Sequence, residues 1–184
     1  MKSIGDMTQA EVGAFVHSHL RENSINVVLS GGAAVSIYSS ERYVSLDLDL
    51  VNVHSAQFGL IRTAMQQIGF EEKARYFKHP NSEFFVEFPP GPLTIGDEPV
   101  GQIIEIEMPT GFLRVISPTD CVKDRLAAYY HWGDRQSLEQ AILVAEESDV
   151  DLIEIKRWSE KEGKLSEFEA VANRLEEQID NHAV

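Results

Sequence analysis

The stretch of residues 25–53, INVVLSGGAAVSIYSSERYVSLDLDLVNV, limits the fold of this chain more than any other segment. Its apolar run at 25–29 predicts a buried strand, and the Gly-Gly pair that follows predicts a tight turn into a short helix of small residues at 32–39. After a loop, the alternation of leucine with aspartate predicts a second strand at 46–53. The segment is therefore expected to run strand, turn, helix, loop, strand.

Asp47 and Asp49 lie two residues apart on the second predicted strand. Side chains at that spacing point to the same face of a sheet, so the two carboxylates should stand side by side with the leucines behind them. Adjacent carboxylates repel each other unless positive charge lies between them, and hard cations such as Mg²⁺ take oxygen ligands. The pair therefore indicates a metal site; the alternative is the polar face of an edge strand.

Ser30, Gly31 and Gly32 lie where the first predicted strand turns into the helix. Glycine lets the backbone approach a ligand closely, and the N–H groups at the start of a helix favour phosphate. A tight connection without any ligand is the alternative. Combined with the aspartate pair, this turn predicts a site for a metal–nucleotide complex.

The rest of the sequence divides at residue 117. Before it, apolar alternation and turn residues predict further strands at 74–78, 83–88, 102–108 and 112–116. From Ser117-Pro118 onward, a helix-opening turn and successive helical patterns continue to the end. We expect an α+β protein with an α/β core over residues 1–116 and a C-terminal helical region over residues 117–184.

Composition excludes several classes of protein. The chain has 184 residues, enough for one well-buried core, and a formal net charge of −14, which argues against a protein that holds duplex nucleic acid by its backbone. Cys121 is the only cysteine, so an internal disulfide is excluded and a reducing compartment is favoured. Without a signal-peptide pattern or an apolar stretch of membrane-spanning length, we expect a cytoplasmic protein with no membrane partner.

Taken in order, these motifs resemble the nucleotidyltransferase superfamily, which has the polymerase-beta-like fold. The resemblance depends on Ser30-Gly31-Gly32 followed by Asp47-Leu48-Asp49, and the chain is similar to the minimal bacterial nucleotidyltransferases related to abortive-infection toxins. Such proteins carry a third carboxylate on a later strand, the place that Glu87 occupies. Their helical segment has three further motifs, matched here by SPTD at 117–120, RLAA at 125–128 and DRQSL at 134–138.

The resemblance implies a mixed-sheet nucleotidyltransferase core with helices packed on it. It also implies transfer of a nucleotidyl group from a Mg-NTP to an acceptor that is left open as a small molecule, tRNA or a protein. Two Mg²⁺ ions would be held by the catalytic carboxylates Asp47, Asp49 and Glu87. The nucleoside triphosphate would be bound by Ser30, Gly31, Gly32, Lys123 and Arg125.

Three positions depart from the family pattern. Glu87 stands where Asp is commoner, which keeps a ligating group but lengthens it, and Arg125 stands where Lys is commoner, which keeps the charge. Ser137 replaces the second Asp of the helical motif. The alternatives are that Glu87 faces solvent, that Arg125 only pairs with a surface acid, and that Glu105 or Glu107 supplies the third carboxylate.

Two other functions are compatible with the same motifs. The first is a binding or regulatory protein that keeps the fold without the chemistry, because fold does not imply function. The second is a toxin–antitoxin component that acts on tRNA or a protein, although the net charge of −14 disfavours tRNA. The apolar stripes of the C-terminal helices complete the core or contact a second copy, so a homodimer is left open.

Overall fold

The computed structural model of the chain describes residues 2–54 and 56–182, with side chains described as far as residue 175. Within these ranges lie seven helices and nine strands, besides a short 3₁₀ turn at Ile4–Asp6. The helices are α1 (Gln9–Glu22), α2 (Gly31–Tyr38), α3 (Phe58–Gln67), α4 (Pro118–Trp132), α5 (Arg135–Glu147), α6 (Leu152–Lys161) and α7 (Leu165–His182). The strands are β1 (Val27–Ser30), β2 (Asp47–Asn52), β3 (Glu71–Lys73), β4 (Tyr76–Lys78), β5 (Phe85–Glu87), β6 (Thr94–Ile95), β7 (Glu98–Pro99), β8 (Ile103–Met108) and β9 (Gly111–Ile116).

Seven of these strands form one mixed sheet in the order β3-β4-β5-β2-β1-β9-β8. β2 pairs in parallel with β5 and β1 pairs in parallel with β9, whereas the other neighbours are antiparallel. The sheet belongs to the first of two compact units, which comprises residues 2–33, 45–54, 56–93 and 102–116. A mixed sheet accompanied by helices confirms the predicted α+β class.

Helix α1 covers one face of this sheet. Its first turn is closed by a capping box, in which Thr8 Oγ1 accepts the N–H of Glu11 and Glu11 Oε2 accepts the N–H of Thr8 at 2.7 Å. A Cβ added at Gly13 would lie 3.3 Å from Leu48 Cδ2 and 3.4 Å from Leu113 Cδ1, so helix and sheet are in close contact. Leu48 and Leu113 are fully buried, and burying a leucine side chain contributes about 2 kcal/mol. This contact fixes which face of β2 is turned inward.

The second compact unit comprises residues 34–44, 94–101 and 117–182. It contains most of α2, the two-stranded ribbon β6–β7 and helices α4 to α7. Trp158 of α6 is fully buried, stacks on Tyr130 of α4 with ring centroids 6.0 Å apart, and donates its Nε1–H to Ile95 O at 3.2 Å. One side chain thus joins α6 to α4 and to the ribbon. Residues 34–44 and 94–101 belong to this unit although they precede residue 117.

Helix α4 begins at the turn that the sequence marks. Ser117 Oγ accepts the N–H of Asp120 at 3.1 Å, and Pro118 is the first helical residue. Cys121 in the following turn is fully buried, and burial raises the pKa of its thiol, so the sulfur stays protonated and unreactive. None of the helices in the described part of the chain combines the length and apolar character needed to cross a membrane.

Candidate active site

The two aspartates of β2 lie on the face of the sheet opposite α1. Asp47 and Asp49 are half-buried, whereas Leu48 and Leu50, which alternate with them, are fully buried. One side of the strand therefore carries both carboxylates and the other side carries the core leucines, as the alternation in the sequence predicts.

The start of β2 is held in place by α1. The Gln9 side chain donates its Nε2–H to the main-chain oxygens of Ser45 and Asp47, at 2.6 and 3.3 Å. Gln9 is only 7% exposed, and a buried amide that binds two carbonyls fixes the backbone between them. No local pattern marks Gln9 as a positioning residue, because only the packing of α1 on the sheet brings it to β2.

The strand register places three predicted site residues in one row across the sheet. Ser30 of β1 is directly opposite Asp49 of β2, and Asp49 is directly beside Glu87 of β5. Neighbouring strands are about 4.8 Å apart, so these side chains occupy adjacent positions on one face. We refer to Ser30, Asp49 and Glu87 as the site row.

Gly31 brings the start of α2 against the site row. Its φ is +66°, a left-handed conformation that favours glycine, and a Cβ at this position would overlap Asp49 Oδ2. The backbone N–H groups in the first turn of a helix carry partial positive charge. The Gly31-Gly32 turn therefore adjoins Asp49 of the aspartate pair.

Glu87 is engaged by an arginine of the β3–β4 turn. Arg75 Nε lies 3.3 Å from Glu87 Oε1, with the Arg75 side chain 83% exposed and that of Glu87 22% exposed. Among the residues described, no three His, Cys, Asp or Glu side chains converge closely enough to hold a metal ion. The oxygen donors of Asp47 and Asp49 suit a divalent cation, and the contact of Arg75 is with one of the two oxygens of Glu87.

The rival third carboxylates lie elsewhere on the sheet. Glu105 and Glu107 belong to β8, and β9 and β1 separate that edge strand from β2. Glu105 Oε2 pairs with Arg21 Nη1 at 3.3 Å. Of the three acidic candidates, Glu87 is the one beside Asp49.

The two predicted phosphate-binding cations are on α4 in the second unit. Lys123 is 6% exposed, and its Nζ lies 2.7 Å from Glu154 Oε1 and 3.3 Å from Asp120 Oδ1. Arg125 donates its Nε–H to Asp124 Oδ2 at 3.1 Å. Both cations already have anionic partners, and their binding to a triphosphate stays a prediction.

The chain is similar in structure to nucleotidyltransferase-like proteins. An antigenic nucleotidyltransferase-like protein from Paracoccidioides brasiliensis, known from a crystal structure, matches with a TM-score of 0.65 and 13% identity over 92% of this chain and 94% of that chain. The antibiotic-resistance factor ANT(2'')-Ia matches in its solution structure (TM-score 0.49, 14% identity, 91% of this chain and 95% of that chain). Its crystal structure in complex with adenylyl-2''-tobramycin matches with a TM-score of 0.45 and 13% identity, over 71% of this chain and 83% of that chain.

No protein-family model and no curated protein matches the sequence. The first of the three structural matches confirms the expected fold, a nucleotidyltransferase-like arrangement of the mixed sheet and its helices. The relation to abortive-infection toxins stays a prediction.

Proposed function

We propose that this protein is a nucleotidyltransferase that moves a nucleotidyl group from a Mg-NTP to an acceptor hydroxyl. The observation that carries the proposal is the contact between the Asp49 carboxylate and the backbone at Gly31, in register with Glu87 on the next strand. A phosphate-binding turn placed directly against an acidic pair is suited to a metal-bound triphosphate. The fold shared with a nucleotidyltransferase-like protein supports the same conclusion.

Asp47 and Asp49 would hold Mg²⁺, and Glu87, directly beside Asp49 on the next strand, would join them. Bound Mg²⁺ supplies positive charge that offsets the phosphate charge and lowers the pKa of the attacking hydroxyl. Ser30 and the Gly31-Gly32 turn would hold the triphosphate by hydroxyl and backbone donors.

In the transfer step, the acceptor oxygen forms a bond to the α-phosphorus. The bond from that phosphorus to the bridging oxygen breaks, and pyrophosphate leaves with the electron pair. The hydroxyl proton passes to solvent. Because phosphoryl transfer needs little covalent chemistry from the protein, the work of these side chains is positioning and charge stabilisation.

The proposal is tested by thermal unfolding with ATP, GTP, CTP and UTP, each with and without Mg²⁺. A ligand at 100 times its Kd should stabilise the fold by about 2.7 kcal/mol, which corresponds to several degrees for a chain of this size. We expect a Mg²⁺-dependent shift that is lost in Asp49→Asn and kept in Glu105→Gln, a carboxylate change on the edge strand β8. A shift that persists in Asp49→Asn, or no shift with any nucleotide, would overturn the assignment.

The Arg75–Glu87 ion pair supports a second candidate, a protein that binds nucleotides without transferring them, because Arg75 competes with a metal ion for the third carboxylate. Pyrophosphate release in the presence of Mg-NTP separates the two functions. A transferase releases pyrophosphate once an acceptor is supplied, and release should stop in Asp49→Asn. A binding protein shows the thermal shift without any release.

A further inference from the structure

Two aromatic rings lie next to the carboxylates on the same face of the sheet. Tyr76 of β4 is directly opposite Glu87, and Phe85 of β5 is directly beside Asp47. Both rings are half-buried, and their centroids are 5.1 Å apart with the planes at 43°. Phe77, which follows Tyr76 on β4, is fully buried on the opposite face. Strand alternation and register therefore assign Tyr76 and Phe85 to the carboxylate face.

Two cations flank these rings. Lys78 Nζ lies 5.4 Å from the centre of the Phe85 ring and donates to Glu83 O at 2.7 Å. Arg75, next to Tyr76 in the chain, contacts Glu87 while most of its side chain is exposed. An arginine and a lysine therefore border the ring pair, next to Glu87, and these are the side chains that bind an anionic group such as phosphate.

The position of the rings relative to the site row indicates which substrate they would contact. The row begins at Ser30 beside the Gly31-Gly32 turn and continues through Asp49 and Glu87, and Tyr76 is the next residue in register. In an in-line displacement, the attacking and leaving oxygens are on opposite sides of the transferred phosphorus. With the triphosphate at the glycine turn, the rings lie at the acceptor end of the row.

We propose that Tyr76 and Phe85, with Arg75 and Lys78, bind the acceptor, and that this acceptor is nucleotide-like, with a planar base, a phosphate and a ribose hydroxyl. The inference rests on the proposed transfer function. A base stacks on aromatic faces whatever its identity, and arginine and lysine are the usual partners of phosphate.

Calorimetric titration of the full chain in EDTA tests this inference without depending on turnover. The probes are AMP, GMP, CMP and UMP, compared with adenosine, which lacks the phosphate, and ribose 5-phosphate, which lacks the base. We expect at least one monophosphate to bind more tightly than either partial ligand. Tyr76→Leu and Phe85→Leu should each raise its Kd about tenfold or more, as expected for loss of stacking. Arg75→Gln should weaken monophosphate binding and leave adenosine binding unchanged.

Matched controls come from the same sheet. Phe112→Leu changes a 42% exposed ring on β9, and Lys73→Gln removes a cation from β3, on the same hairpin as Arg75; neither should change the Kd. If Phe85→Leu fails to fold, Tyr76→Leu and the exposed Arg75→Gln still decide the question. No monophosphate binding, or equal losses in the test and control variants, would overturn the inference.

The failure of this inference is distinguishable from failure of the proposed function. Monophosphate binding in EDTA should survive in Asp49→Asn, since it uses neither the metal nor the triphosphate site. A Mg-NTP shift without ring-dependent monophosphate binding would overturn only the acceptor assignment. Ring-dependent binding without any Mg-NTP shift would overturn the transfer function and leave a nucleotide-binding protein.

Discussion

A side chain at position 31 would have to occupy space that the Asp49 carboxylate already fills. The left-handed φ of Gly31 adds a second cost, because L-residues in that conformation lose about 1–2 kcal/mol. The two costs are separable, since Gly133 at the end of α4 has the same φ of +66° but nothing within 4 Å of an added Cβ.

Gly31→Ala and Gly133→Ala should therefore carry similar backbone strain, but only Gly31→Ala should impair the binding of Mg-NTP. By urea denaturation, we expect Gly133→Ala to lose about 1 kcal/mol of unfolding free energy from the strained backbone, and Gly31→Ala to lose more because its methyl group also overlaps Asp49. Only Gly31→Ala should also lose the Mg-NTP thermal shift, because its methyl group displaces Asp49. Retention of the shift in Gly31→Ala would show that the close approach is not needed for binding.

At the scale of single elements, local sequence patterns predict a strand or a helix where side-chain alternation or a capping turn determines it. β2 and the start of α4 at Ser117 follow their patterns closely. Ala74 was expected in a strand, but it has a φ of +56° in the turn that joins β3 to β4. β3 and the β6–β7 ribbon were not predicted, because these short strands show no apolar alternation.

For the candidate site too, the sequence predicts the arrangement within one strand but not the arrangement between strands. Alternation alone placed Asp47 and Asp49 on one face. The position of Glu87 and the rings beside Asp47 and Asp49 depends on the pairing of β5 with β2, two strands that are distant in sequence. Register between such strands is set by tertiary packing, which a local pattern does not contain.

Lys123 of α4 pairs with Glu154 of α6, and this buried position leads to a stability prediction. Removing one partner of a buried ion pair leaves an uncompensated charge, at a cost of about 3 kcal/mol. Lys123→Met should cost about that much, because it strips Asp120, itself 3% exposed, of its cation. Lys164→Met, which breaks a half-buried i, i+3 pair with Glu167, should cost less, within about 1 kcal/mol.

Urea denaturation gives both values for the two lysine variants, and Mg-NTP titration of the same proteins tests the predicted phosphate role. A Lys123→Met protein that is destabilised but binds Mg-NTP normally has lost a structural contact only. A protein of unchanged stability with weakened binding would support the phosphate role and contradict the stability prediction.

At the scale of the whole molecule, an ion-pair network makes the second unit sensitive to acid. Arg157 and Lys161 lower the pKa of Glu98 from 4.5 to about 2. Arg157, followed by Lys123, lowers the pKa of Glu154 to about 2 as well. A depressed carboxylate pKa stabilises the folded state above about pH 4.5, and this stability is lost as the pH falls through about 2.

Acid titration of Trp fluorescence should follow this loss, because Trp158 is fully buried in the same unit. We expect the wild type to lose stability between about pH 4.5 and 2, with a smaller pH dependence in Glu98→Gln. Glu139→Gln, which breaks an exposed pair with Arg174, should keep the wild-type profile. Identical profiles for Glu98→Gln and the wild type would contradict this account.

The path of the chain through the two units affects whether the sheet and the C-terminal helices can be separated into independent fragments. Residues 34–44 lie between Gly31 and Asp47 in sequence, yet their contacts are in the second unit, where Arg42 pairs with Glu146 and Ser148 Oγ donates to Tyr38 O at 3.1 Å. A gene fragment ending at codon 116 would encode the whole sheet but would leave this segment without those partners. The sheet and the C-terminal helices are therefore expected to be inherited together, and shuffling or fusion should succeed only where residues 34–44 keep these partners.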